Sequence, residues 1–294
     1  MIELLSGSVQ SGECDIMGHM NVRHYLARGR SALASLGIGL GLGPSVLRDR
    51  GLRLRVVDQH VRFARELPPG TPFVIRGGVL ARQGDVLRVV LEMRNTRAEV
   101  VAATMVNEVM LADAEGALFP IGVAPAATVA LPDHAAPRGL AVMPPAAPLP
   151  RARAEALGLQ RIQLGVVEAD ECDPDGLMRE ESVLARIWDG LPHLATVIRS
   201  GGDARLGGAA LEYRIVHHRP VRCGDVVETR CGLRAIGGKT TEWNHYLYNA
   251  ETGAPVAVAN TVGVAFDLAT RKAVAPDAAT LAALQAQLRP DLPI

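Results

Sequence analysis

Glu13-Cys14-Asp15-Ile16-Met17-Gly18-His19-Met20-Asn21 leads into a helical pattern from His24 to Leu36, and Glu171-Cys172-Asp173-Pro174-Asp175-Gly176-Leu177-Met178-Arg179 leads into a second from Ser182 to Leu194. The offset between the two stays at 158 without a gap, and ten of 24 aligned positions are identical. Random pairing gives about one or two such matches, so the chain contains an internal repeat. With 294 residues, 48% of them hydrophobic, it can bury one large core or two of about 120 to 150 residues each. The repeat selects two.

Working outward, the short apolar run that opens residues 2–12 predicts a first strand that feeds the loop. Gly18 lies where the loop must turn sharply, and Asn21 is a good N-cap for the helix that follows. Leu26, Leu33 and Leu36 with Ala27, Ala32 and Ala34 give that helix a small-residue face, and the Gly-rich segment 37–44 ends it. The hydrophobic period then drops from about 3.6 to about 2. Residues 52–57, 60–65, 73–80, 86–93 and 100–111 alternate or run apolar as strands, separated by turns such as Pro68-Pro69-Gly70. The second copy repeats this order: strand 164–169, helix 182–194, strands 210–218, 226–235, 240–248 and 256–266, and a short C-terminal helix 280–288. The expected organisation is domain one at 1–119, a Pro/Ala-rich linker at 120–158 and domain two at 159–294.

Lysine plus arginine equals aspartate plus glutamate, 31 against 31, so bulk charge points to neither nucleic acid nor an acidic membrane, although a local basic site for phosphates stays open. Of the four cysteines, Cys14 and Cys172 are repeat equivalents, and Cys223 and Cys231 form no CxxC pair. Free thiols in a reducing compartment are the expectation. The N-terminal stretch lacks a basic region followed by a long apolar run, and no apolar stretch reaches the roughly 18 to 20 residues a membrane span needs. A soluble, cytoplasmic protein is predicted. His217-His218 has no third ligand at sensible spacing, so no metal is expected.

A strand, then Asp-x-x-Gly-His-Met-Asn, then a helix with an early tyrosine, then antiparallel strands, resembles the hot-dog-fold acyl thioesterases, of the 4-hydroxybenzoyl-CoA and acyl-ACP thioesterase types. The resemblance implies an α+β fold of two tandem hot-dog domains, each a long central helix wrapped by a curved antiparallel sheet, packed as an intramolecular pseudo-dimer. Domain one carries the whole motif: Asp15, Gly18, His19, Asn21 and Tyr25. Domain two keeps Asp173 and Gly176 but has Leu177, Arg179 and Val183 where domain one has His19, Asn21 and Tyr25.

Thioester hydrolysis needs an activated water or a nucleophile, a donor to the developing oxyanion, and an acyl slot. Asp15 suits either role, deprotonating water or attacking the carbonyl to form an anhydride. Amides around Gly18, His19 and Met20, near a helix N-terminus, are candidates to polarise the carbonyl. His19 is placed to orient substrate or assist proton transfer, and Asn21 to hold the water or cap the helix. Tyr25 and Met20 are candidates for the acyl slot, and Arg62 and Arg65 for the phosphates of CoA or of a carrier-protein arm. Asp173, Asp175, Gly176, Glu180 and Glu181 are candidates for a second site or a role across the domains. Cys14 and Cys172 alternate away from the carboxylates and are not expected to be nucleophiles.

The resulting expectation is a thioesterase acting on acyl-CoA or acyl-ACP, without a cofactor other than the CoA or phosphopantetheine of the substrate. Association of two such chains into a homodimer stays open. The alternatives are a hot-dog hydratase or dehydratase acting on enoyl thioesters, and a non-catalytic acyl-thioester-binding module.

Overall fold

The computed structural model describes residues 1–140, 147–198 and 205–293, and the chain divides into two compact units, Met1–Pro137 and Arg138–Ile294. In the first unit, β1 (Ile2–Ser8) leads through a single 3-10 turn to α1 (Val22–Gly39) and a short α2 (Pro44–Asp49). Then come β2 (Arg53–Phe63), β3 (Pro72–Gln83), β4 (Val86–Asn95), β5 (Val100–Ala112) and a two-residue β6 (Leu118–Phe119). The strands pair antiparallel in the order β1-β3-β4-β5-β2, with β6 added to β5.

The second unit has α3 (Arg151–Ala156), β7 (Gln160–Val166), α4 (Ser182–Ile198), β8 (Leu206–His217), β9 (Val226–Ile236), β10 (Thr240–Asn249), β11 (Pro255–Asp267), β12 (Ala273–Val274) and α5 (Ala278–Gln287). Its order, β7-β9-β10-β11-β8, is the order of the first unit repeated. Each repeat is thus a lead strand, a long helix and four further long strands, the five strands pairing antiparallel.

Local chemistry accounts for the elements. Asn21 sits in extended backbone, and its side chain accepts from the Arg23 amide at 3.1 Å, which starts α1 two residues earlier than the apolar pattern alone indicates. The two alternating runs at 52–57 and 60–65 are one strand, β2, with a bulge between Val56 and Asp58. α1 lies on the sheet face of Leu91 and Met105, where an added Cβ at Gly29 would stand 2.6 Å from the Met105 sulfur. That close approach lets helix and sheet exclude water between them.

The other face of the same sheet is covered too. Val90 and Val106, neighbours in register, pack with Leu80 against Val129, Leu131 and Ala135. Burial on both faces explains why β4 and β5 read as nearly continuous apolar runs rather than clean alternations. Residues 120–137, expected to be part of a linker, therefore belong to the first unit. They are held by the Val129 amide on the Val79 carbonyl, and by Arg62 Nη1, which donates to the carbonyls of His134 at 2.8 Å and Ala136 at 2.6 Å. At the other end of that stretch, α3 and Leu149 pack on the outer face of the second sheet with Tyr246, Tyr248 and Val258. Residues 141–146 lie outside the described residues. Proline and alanine content reads as a linker because it lacks a period, yet scattered apolar residues suffice to cover a sheet face.

Glu92 fastens the same covering segment from within. Its carboxylate accepts from Arg94 Nη1 at 2.8 Å and pairs with His134 Nε2. Burial by itself pushes the Glu92 carboxyl up, but the hydrogen bonds and charges of Arg94 and His134 outweigh it and hold the group below the usual carboxylate range. The folded-state pKa is then lower than the unfolded one, so this stabilisation is present at neutral pH and is lost as pH falls through the acid range below about 4.3. Glu92→Gln is expected to lower the urea midpoint at pH 7, with the gap to the unaltered chain shrinking towards pH 3; urea titrations at a series of pH values check this.

Candidate active site

The motif loop of the first domain is a tight hairpin. Cys14 bridges Met20, the Asp15 amide donates to the His19 carbonyl at 3.0 Å, and the Gly18 amide returns to the Asp15 carbonyl at 3.0 Å. Gly18 has φ +78°, the left-handed region in which a side chain is strained. Two further bonds locate this hairpin in the domain. Arg28 of α1 donates to Glu13 Oε1 at 2.6 Å, and the Met20 amide donates to the Leu67 carbonyl at 2.9 Å, just beyond the end of β2.

The second bond brings residues 66 and 67 against the loop and, with them, a carboxylate that the sequence reading does not include. His19 Nδ1 lies 3.4 Å from Asp15 Oδ1, and its Nε2 lies 3.7 Å from Glu66 Oε1. Asp15 Oδ1 also accepts from the Met17 amide at 2.9 Å. One imidazole thus stands between two carboxylates at the N-terminal end of α1. Tyr25 is buried one turn into the helix, edge-on to Phe63 with ring centroids 5.2 Å apart. Burial, and after it the charge of Glu66, push its hydroxyl well above the usual tyrosine range, so it stays protonated at neutral pH.

Asp15, Gly18, His19 and Tyr25 therefore gather at one place. Asn21 is engaged as the helix cap, and Met20 is buried beneath the loop. The loop tip, Ile16, is 98% exposed. Of the amides considered as oxyanion donors, those of Gly18 and Met20 are already committed to backbone carbonyls, which singles out His19. Arg62 is not brought to the loop: it faces the covering segment on the opposite side of the sheet from α1. Arg65 is exposed beside Glu66 and donates to the Ala64 carbonyl. Cys14 donates to the Gln10 carbonyl, and desolvation followed by the charges of Asp15 and Glu13 raises its thiol pKa, away from thiolate character.

The second domain builds the same loop with different side chains. Cys172 bridges Met178, Gly176 has φ +78°, Arg186 pairs with Glu171, and the Met178 amide donates to the Val221 carbonyl. This last bond equates Val221 with Leu67, so Pro220 stands in the place of Glu66 and Leu177 in the place of His19. Asp173 Oδ1 accepts two amides, from Asp175 at 3.0 Å and Leu177 at 2.9 Å. Arg179, in the place of Asn21, donates instead to the carbonyls of Cys172 and Asp170 and pairs with Glu181, and α4 begins two residues later in the repeat than α1. Asp175 and Glu180 belong to this loop and its exit towards α4.

Glu66 was findable in the sequence, because aligning the repeats beyond the helix pairs two differences, His19/Leu177 and Glu66/Pro220, that fall in one place. Among the described residues, no group of His, Cys, Asp and Glu is placed to hold a metal ion. No described helix is long and apolar enough to cross a membrane.

A family model described as the thioesterase-like superfamily matches residues 9–156 and 167–284, one segment for each repeat. The chain belongs to the thioesterase-like superfamily. The general activity of that family is thioester hydrolysis, and the fold of this thioesterase is the tandem hot-dog-like one. No functionally curated protein matches it. Among solved structures, an acyl-ACP thioesterase from Bacteroides thetaiotaomicron is similar at a TM-score of 0.66 and 7% identity, over 88% of this chain and 96% of that one. The 12:0-ACP thioesterase from Umbellularia californica is similar at a TM-score of 0.62 and 14% identity, over 88% and 92%. At such identities the likeness is one of fold.

The cap can be tested apart from the chemistry. Asn21→Ala is expected to cost about 1 kcal/mol of stability, and Asn21→Ser to recover most of it, as read from urea unfolding.

Proposed function

We propose that the first domain carries the hydrolytic site of an acyl-CoA or acyl-carrier-protein thioesterase, with Asp15, His19 and Glu66 as its polar groups. One observation carries this reading. The two domains share the hairpin, the Glu–Arg pair and the clip to the segment just after β2 or β8, yet the imidazole and its second carboxylate are both replaced in domain two, by Leu177 and Pro220. The backbone bridge and the left-handed glycine are kept in both loops without these two side chains, so the hairpin itself does not require them.

In this reading Asp15 acts on the thioester carbonyl, either through a water it deprotonates or by direct attack. His19 is held between Asp15 and Glu66, in position to orient the attacking group and pass its proton. The His19 amide is the donor for the developing oxyanion. A thiolate leaves without a strong acid, so the site needs no further proton donor. Tyr25 borders the acyl slot. Asp173, with its acceptor oxygen shared by two amides, serves the loop of domain two and not a second site. Domain two then acts as the pseudo-dimer partner that a tandem hot-dog chain supplies to itself, a role supported by the repeat. The CoA or phosphopantetheine of the substrate is the only organic group required, and the reaction is placed in the cytoplasm. Acyl-ACP thioesterases among the full-length fold neighbours support acyl thioesters as the substrate class.

Asp15→Asn and Glu66→Gln are each expected to lower kcat/KM on acyl-CoA substrates by about 10²- to 10⁴-fold with unchanged circular dichroism, while Asp173→Asn stays near the unaltered value. Undiminished turnover by Asp15→Asn would sink the assignment. Water addition to crotonyl-CoA in place of hydrolysis would make the chain a hydratase.

A further inference from the structure

The loop of the second domain holds a feature without a counterpart in the first. Cys172 precedes Asp173 and is buried, and Cys223 is exposed in the turn Arg222-Cys223-Gly224-Asp225. The two are brought together by backbone bonds. The return arm of the hairpin pairs with Cys172 through Met178 and with the turn segment through Leu177 and Arg222, and the Cys223 amide donates to the Gly176 carbonyl at 2.9 Å. The Cys223 thiol is near enough to act electrostatically on the Cys172 thiol, which donates to the Glu168 carbonyl at 3.4 Å. The turn is fixed in place: the Arg222 amide donates to Asp225 Oδ2 at 2.8 Å, and the Gly224 amide donates to the Val167 carbonyl at 2.9 Å. In the first domain Pro69 stands where Cys223 stands, so Cys14 faces no thiol from that turn.

We propose that Cys172 and Cys223 form a reversible disulfide that locks the motif loop of the second domain to the turn after β8. The oxidant is a low-molecular-weight disulfide such as glutathione disulfide. The exposed Cys223, as thiolate, attacks one of its sulfurs and releases one glutathione thiol. Cys172, as thiolate, then attacks the Cys223 sulfur of the mixed disulfide and releases the second. Two protein thiols lose two protons and two electrons, and one glutathione disulfide becomes two thiols. Burial of Cys172, with the neighbouring thiol and the carboxylates of Glu171 and Asp173, raises its thiol pKa, so the second step quickens with rising pH. Closing the long loop between the two positions restricts the unfolded chain and stabilises the folded domain.

The test uses the full-length chain incubated with glutathione disulfide, alkylated without reduction, digested and read by mass spectrometry, beside intact-mass and melting measurements. The expected result is a cross-linked pair of peptides containing Cys172 and Cys223, an intact mass lower by two hydrogens, and a rise in Tm that dithiothreitol reverses. Cys172→Ser and Cys223→Ser should each lose the cross-link and the rise, whereas Cys14→Ser should keep both. Glutathione retained on Cys223 with Cys172 still alkylatable after denaturation would overturn the proposal, as would a Cys223-to-Cys223 dimer or no reaction. None of these readouts depends on which thioester the chain hydrolyses.

Discussion

An arginine of the long helix bonded to a glutamate two residues ahead of the motif aspartate, Arg28 to Glu13 in the first domain and Arg186 to Glu171 in the second, joins helix to loop in each domain. A helix and a loop joined only by backbone have many relative orientations, and an ion pair that is partly out of water fixes one of them. The second domain makes the bond more fully: Arg186 engages both carboxylate oxygens of Glu171 and reaches the carbonyls of Gly165 and Val166 as well. One guanidinium there ties lead strand, loop and helix together. The hairpin held in this way can carry a left-handed glycine at its turn, and its return arm meets the segment just past the strand that follows the helix.

Much of this was legible in the sequence because the signals were local or repeated. The change of period from helix to strand, the capping asparagine and the turn glycines place the long helix and the main strands of both domains to within a few residues, but not the short α2, α3, β6 and β12. The covering segments were not legible. Val129, Leu131 and Ala135 have no period of their own, and only the apolar character of both faces of β4 and β5 betrays that something lies over them. At the candidate site, Asp15 and His19 stand together because they are four residues apart in a tight turn. Glu66 reaches them through a pairing between distant segments, which a search for local motifs does not register. Arg62 shows the converse: its residue type fits a phosphate, but the alternation of β2 directs it to the side away from the loop.

The two copies show how one backbone frame carries different side chains. Cys14 and Cys172, Asp15 and Asp173, Gly18 and Gly176, and Met20 and Met178 occupy the same places with the same bridges and the same glycine conformation. What differs is the use of the carboxylate. In the first domain Asp15 shares its oxygen between the Met17 amide and the flank of an imidazole, whereas in the second Asp173 divides the same oxygen between two amides. The same oxygen thus closes the turn with two amides in one copy and meets a side chain in the other.

The paired difference between the copies also bears on what a transplant of the first domain's side chains into the second would need. Leu177 is 3% exposed, so a histidine there would enter a buried position, and Pro220 has no carboxylate to meet its far nitrogen. Leaving a buried polar atom without a partner costs about 1–3 kcal/mol. A glutamate at 220 alone would add a carboxylate with no imidazole at 177 to engage. The two positions therefore work as a pair: a histidine at 177 alone would lack the second carboxylate that His19 meets in Glu66, so the first domain's arrangement requires both changes together.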